Sequence, residues 1–182
     1  MTFEKKILAE MPKCYALGMF EGEDTPSFLA AVEKDGPIRR FTLDGEPLET
    51  VAPGPGGVMT ITQVPGRKDQ FLATRKFFSP NFGGDDAAIA SYTKQADGSW
   101  SEQILCDLPY VHRFGILKAA DGQLWVLACS IKGGAETGVK DDWRTPGAVW
   151  AAPLSDNLEQ YTADNQLKLT CVANYQVQNH GF

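Results

Sequence analysis

His112 and His180 are the only imidazoles in the chain. Histidine titrates near neutral pH and ligates metals, so these two are the first candidates for general acid/base work or ligation. Arg113 follows the first. Lys76 and Lys132 close apolar runs immediately before two stretches, Phe77–Asp86 and Lys132–Pro146, that combine glycines, an Asp pair and aromatics. From these come Asp86, Asp142, Trp143 and Arg144. The set suits a small polar ligand or carbohydrate: Arg113 and Lys132 would meet an anionic group, Trp143 would stack on a sugar ring, and Lys76, Asp86 and Arg144 would line the same site. Asp86 with Asp142 could resemble the carboxylate pair of a glycosidase. His112, His180 and Asp142 are the candidate catalytic groups.

Each residue also has a structural role open to it. The imidazoles can hold neighbouring backbone, the aspartates can cap turns, and the arginines can form ion pairs between sheets. Two imidazoles are half of a zinc site. A divalent metal would need its remaining ligands from carboxylates, water or further chain, and no other cofactor is indicated. Gly83-Gly84 and Gly133-Gly134 precede no helix, so they read as turns and not as a phosphate cradle.

The elements that must position these groups are strands. Ile7-Leu8-Ala9-Glu10-Met11-Pro12 through Leu17-Gly18-Met19 matches Ile104-Leu105-Cys106-Asp107-Leu108-Pro109 through Phe114-Gly115-Ile116, an offset of 97 residues from Ile7 to Ile104. Weaker copies start at Leu48 and Leu167. Between copies lie β-rich runs bounded by turn residues. The first unit reads Tyr15–Phe20, Phe28–Val32, Ile38–Leu43 and Leu48–Val51. The second reads Val58–Val64, Gln70–Phe77, Ala88–Thr93 and Trp100–Cys106. The third reads Phe114–Lys118, Leu124–Ile131, Ala148–Ala152 and Gln166–Val172. Four Asp-Gly pairs, the last at Asp121-Gly122, fall between runs where hairpins need positive φ. Asp97-Gly98-Ser99-Trp100 is similar to a sialidase Asp box but lacks the residue between Asp and Gly, so it reads as an ordinary turn. No helix of any length is expected.

Quartets of antiparallel strands repeated along a chain resemble β-propeller blades. The resemblance implies an all-β arc of about three four-stranded antiparallel blades, near 13–53, 56–109 and 110–173, with partial strands at both ends. Residues 3–8 would be the outer strand of a missing blade and 177–182 the first strand of the next, so the ring is incomplete. More narrowly, Tyr110-Val111-His112-Arg113-Phe114-Gly115, Lys140-Asp141-Asp142-Trp143 with Pro146-Gly147, and Asn179-His180-Gly181-Phe182 are similar to segments of uncharacterised bacterial propeller proteins about twice this long. That likeness implies the N-terminal half of a longer propeller, a truncated fragment, and no particular activity. The blade topology puts both histidines and the two long loops on one face, at the channel mouth. A sandwich is the competing all-β architecture.

Composition bounds the rest. Seventeen Lys and Arg against 23 Asp and Glu give a net charge of −6, with 43% apolar and 22% charged residues in 182. That describes one globular domain with ample core and argues against nucleic acid, which needs clustered basic residues. No run of about 20 apolar residues suits a bilayer and the start lacks a leader's apolar stretch, so no membrane partner and a cytoplasmic address are expected. Cys14, Cys106, Cys129 and Cys171 lack zinc spacing and read as reduced core thiols. An open arc exposes apolar blade faces, which predicts self-association. Two functional classes follow: a sugar- or small-acid-active enzyme, and a non-catalytic propeller that binds a ligand or protein, or serves structure.

Overall fold

The computed structural model of the chain describes residues 4–78, 83–133 and 143–174. Twelve strands form three four-stranded antiparallel sheets, each built in chain order. Sheet 1 holds β1 (Cys14–Glu21), β2 (Pro26–Val32), β3 (Ile38–Thr42) and β4 (Pro47–Ala52). Sheet 2 holds β5 (Ile61–Gln63), β6 (Gln70–Arg75), β7 (Ala88–Lys94) and β8 (Trp100–Asp107). Sheet 3 holds β9 (Val111–Lys118), β10 (Leu124–Lys132), β11 (Pro146–Pro153) and β12 (Thr170–Asn174). None closes into a barrel, and the arrangement is consistent with an incomplete propeller arc. Among the described residues the one helical element is the 3-10 turn Leu158–Gln160, and no helix is long and apolar enough to cross a membrane.

Composition explains which strands lie inside. β2, β6 and β7 carry apolar segments, Phe28–Val32, Phe71–Ala73 and Ala88–Ala90, that are largely buried on both faces, as strands in the middle of packed sheets are. The fourth strands are largely exposed. One core, with Phe20, Leu29, Ile61 and Phe71, lies between sheets 1 and 2. The other, with Leu72, Leu105, Phe114 and Val126, lies between sheets 2 and 3. Gly18 sets the first approach: a Cβ there would stand 2.9 Å from Ile61 Cγ2.

The backbone repeats the entry into each sheet. Lys13, Gly57 and Tyr110 all take left-handed conformations, at φ 56°, 66° and 57°. Their carbonyls accept from Glu33, Phe77 and Ile131 N–H at 3.0, 3.1 and 3.0 Å. Left-handed φ is uncommon for residues with a side chain. Its recurrence fixes the same turn before three innermost strands and aims the residues that follow at a common region.

Four expectations require correction. β5 begins at Ile61 and not at Val58, because Val58 N–H donates to Val32 of sheet 1 at 3.1 Å and the Met59 N–H is taken by Thr74 Oγ1 at 2.7 Å. β12 begins at Thr170 and not at Gln166, because Leu167 N–H crosses to the Leu105 carbonyl of sheet 2 at 2.7 Å. Cys106 and Cys129 are buried free thiols, but Cys14 and Cys171 are exposed. The outer strand expected at 3–8 is not formed: its described residues, 4–8, join no sheet. The expected strand 177–182 lies outside the described residues.

Candidate functional site

The side chains that follow the repeated turn meet. Tyr15 Oη and His112 Nε2 share a hydrogen bond of 3.2 Å across the starts of β1 and β9. The rings stand edge to face, centroids 6.1 Å apart. Phe77 also meets the imidazole edge-on, centroids 5.5 Å apart, and Thr60 Oγ1 donates to the His112 carbonyl at 3.1 Å. His112 is 7% exposed. Arg113 lies over the Tyr15 ring, 5.3 Å from its centroid, and donates from Nη1 to the Met59 carbonyl. Imidazole and guanidinium here join three sheets, which is the structural role the sequence left open for them.

Phe77 links this group to a second. Its ring meets Tyr110 edge-on at 6.4 Å, and Tyr110 Oη donates to Asp85 Oδ2 at 2.8 Å. Burial first, and this hydrogen bond to a carboxylate second, hold the Tyr110 phenol well above its ordinary range, so it is a neutral donor. Lys132, 1% exposed, places Nζ 4.4 Å from the Tyr110 ring centroid and 4.8 Å from that of Trp143. Two ring faces stabilise the ammonium while excluding water from it.

Lys132 also lines a cavity of about 530 Å³. It lies between the exit of sheet 2 at Asp107–Pro109 and the face of sheet 3 that carries Ser130 and Trp150. Ser130 Oγ accepts from Trp150 Nε1 at 3.0 Å and from Ala148 N–H at 3.2 Å. Leu108, Leu167 and Leu169 supply apolar wall. A concave, mostly apolar space with a few polar groups is the general form of a small-molecule site.

The remaining sequence candidates are dispersed. Asp86 is exposed, while its neighbour Asp85 takes the bond to Tyr110. Lys76, half-buried with φ 59°, donates its backbone N–H to Gly56 at 2.9 Å. Trp143 is half-buried against the second core, and Arg144 is exposed. His180 and Asp142 lie outside the described residues. Among the described residues no three His, Cys, Asp or Glu side chains stand together as a metal site.

Sequence reasoning missed Tyr15, Phe77, Asp85 and Tyr110. Tyr15 had a signal, since it precedes His112 by the 97-residue offset of the repeat. It also missed Arg40, 1% exposed between sheets 1 and 2. All five of its N–H donors are used: Nε on Ser27 Oγ at 2.7 Å, Nη1 on Asp24 at 2.9 Å and Glu49 at 3.0 Å, and Nη2 on Asp24 at 2.6 Å and the Thr25 carbonyl at 2.9 Å. Glu49 also accepts from Lys94 Nζ and Trp100 Nε1, each at 2.9 Å. With no donor left for a ligand, Arg40 ties together the strands and the β1–β2 turn of sheet 1, and Glu49 carries the cluster across to Lys94 and Trp100 of sheet 2. Burial disfavours its charge, but the bonds to Asp24 and Glu49 outweigh that and raise its pKa. The Arg40 bond holds the Asp24 carboxyl well below the usual range. Glu49 is raised by burial and lowered by more through Trp100, Lys94 and Arg40.

No protein-family model matches the chain, and no curated protein does. Among solved structures it is similar to Kuenenia stuttgartiensis hydrazine synthase, at 10% sequence identity and a TM-score of 0.52. The match covers 86% of this chain and 41% of that one. The chain thus spans well under half the length of the protein it matches, and at this identity the likeness concerns fold alone.

Proposed function

We propose that the chain is a β-propeller arc and that it binds a small organic acid, a sugar acid in particular, without transforming it. The observation that carries this reading is Lys132, a buried ammonium between two aromatic rings at the wall of a cavity of about 530 Å³. Among the described residues that line the cavity Lys132 is the cationic one, the charge type that a carboxylate recognises. Ser130, Asp107 and Asn174 line the same cavity and offer partners to hydroxyls, and Trp150 offers a ring face. The volume suits a six-carbon acid. His112, tied to Tyr15 and packed on Phe77, supports a binding protein over one that transfers protons at the mouth.

Isothermal titration calorimetry with gluconate, glucuronate and neutral glucose tests the reading. The two acids should bind, glucose at least tenfold more weakly, and Lys132→Met should abolish the difference. Equal binding of acid and neutral sugar, binding unchanged in Lys132→Met, or no binding of either acid would refute it.

A further inference from the structure

The two terminal sheets are uncovered on complementary sides. Leu17, Ile61 and Phe114 are equivalent positions, since each faces an alanine across the first ladder of its sheet: Ala30, Ala73 and Ala128. Ile61 and Phe114 are 6% and 4% exposed, covered by the sheet before theirs. Leu17 is 66% exposed, and Met19 on the same face is 62%. The stacked pair Phe28–Phe41, 5.3 Å apart at 15°, repeats in sheet 2 as Phe71–Tyr92, 5.0 Å apart at 13°. In sheet 2 that pair is capped edge-on by Phe20 of sheet 1 at 5.9 Å. In sheet 1 Phe28 is half-buried. The segment 5–12 lines, with Leu17 and Phe28, a cavity of about 810 Å³ along this face, and Leu17 and Met19 keep most of their surface exposed.

At the other end, the residues three beyond the alanine-paired positions are Phe20, opposite Ser27, and Leu117, opposite Trp125. Sheet 2 covers the first pair, at 1% and 0% exposure. Leu117 and Trp125 of sheet 3 are 50% and 38% exposed. Between them, Gly115 faces Leu127 as Gly18 faces Leu29. Gly18 is the position that makes room for Ile61, the equivalent of Leu17. Sheet 1 therefore presents a receiving face and sheet 3 a delivering face of a contact that the chain already makes twice within itself.

We propose that these faces meet between two copies of the chain, sheet 1 of each receiving sheet 3 of the other. The Leu17 side chain of one copy fills the space over Gly115 of the other, and Leu117 caps the Phe28–Phe41 pair as Phe20 caps Phe71–Tyr92. Reciprocal contacts close under two-fold symmetry. The contact covers both of the apolar faces described above.

Light scattering after size exclusion, across a wide concentration range, tests this with the full chain. Wild type should show twice the 19.9 kDa chain mass. Leu17→Asp and Leu117→Asp, both at exposed positions, should each remain at the single-chain mass with an unchanged far-ultraviolet spectrum. Mixed, they should form a one-to-one pair, because each retains the face the other lacks. Met19→Lys and Trp125→Glu serve as a second pair should either aspartate variant lose its fold. A wild type that is monomeric throughout, assembly that survives both substitutions, assembly broken by the sheet 1 variants alone, or variants that fail to pair on mixing would each overturn the proposal.

Discussion

Tyr15 and His112, equivalent residues of two repeats 97 positions apart, meet side chain to side chain at 3.2 Å. One element duplicated along the chain is thereby bonded to its own copy, and the bond ties sheet 1 to sheet 3 past sheet 2. A part-buried hydrogen bond of this kind contributes about 0.5–1.5 kcal/mol. Urea denaturation of Tyr15→Phe, His112→Gln and the double variant should give a coupling energy of about 1 kcal/mol. Strict additivity would mean that the contact does not hold the sheets.

Arg40 should matter more. Removing one member of a buried ion pair costs about 3–5 kcal/mol, and the lower end applies here because Asp24 is 55% exposed. Arg40→Met, which keeps the packing on Phe20, should lose about 3 kcal/mol by chemical denaturation. Arg40→Lys should recover little, because an ammonium cannot serve the five acceptor directions that the guanidinium fills. Near-wild-type stability in either variant would show that Asp24 and Glu49 are content with solvent.

The same cluster sets an acid limit. Asp24 and Glu49 have folded-state pKa values below their ordinary 3.8 and 4.5. Their contribution is therefore complete above those ordinary values and is lost as pH falls through the depressed ones. Melting temperature should be level from neutrality to about pH 5 and fall below pH 4.5. Arg40→Met, whose carboxylates lack the guanidinium, should show a shallower fall. Equal slopes in the two proteins would contradict this assignment.

Gly18 should tolerate no side chain. An added Cβ would stand 2.9 Å from Ile61 Cγ2, so Gly18→Ala should cost about 1–3 kcal/mol by overpacking. Combining it with Ile61→Ala should recover part of that loss even though the single Ile61→Ala is itself destabilising. A neutral Gly18→Ala would show that sheets 1 and 2 are not closely packed there.

The strands were legible where one physical cause acts alone. The runs read at Gln70–Phe77 and Ala88–Thr93 are β-rich and bounded by turn residues, and the ladders Gln70–Arg75 and Ala88–Lys94 lie on them. Asp97-Gly98 and Asp121-Gly122 are hairpin turns whose carboxylates accept from Ser99 and Gln123 N–H at 2.9 and 3.0 Å. Boundaries went astray where sheets compete for one backbone group, as at Val58 and Leu167. The site was legible only as a neighbourhood. Lys132 and Trp143 do come together, but they meet on Tyr110, a residue whose position depends on a left-handed turn that no composition rule assigns to tyrosine. The Arg40 cluster was invisible because Glu49, which accepts from Arg40, is fixed from the other side by Lys94 and Trp100 of sheet 2, and the packing angle between sheets is not written in either one.

The cavity beside Lys132 is best tested by methyl NMR of leucine-labelled protein titrated with gluconate. Leu108, Leu167 and Leu169 should shift with saturation while Leu17 and Leu43, far from the cavity wall, stay fixed. Shifts centred on Leu17 and Leu43, or none at ligand excess, would contradict the site.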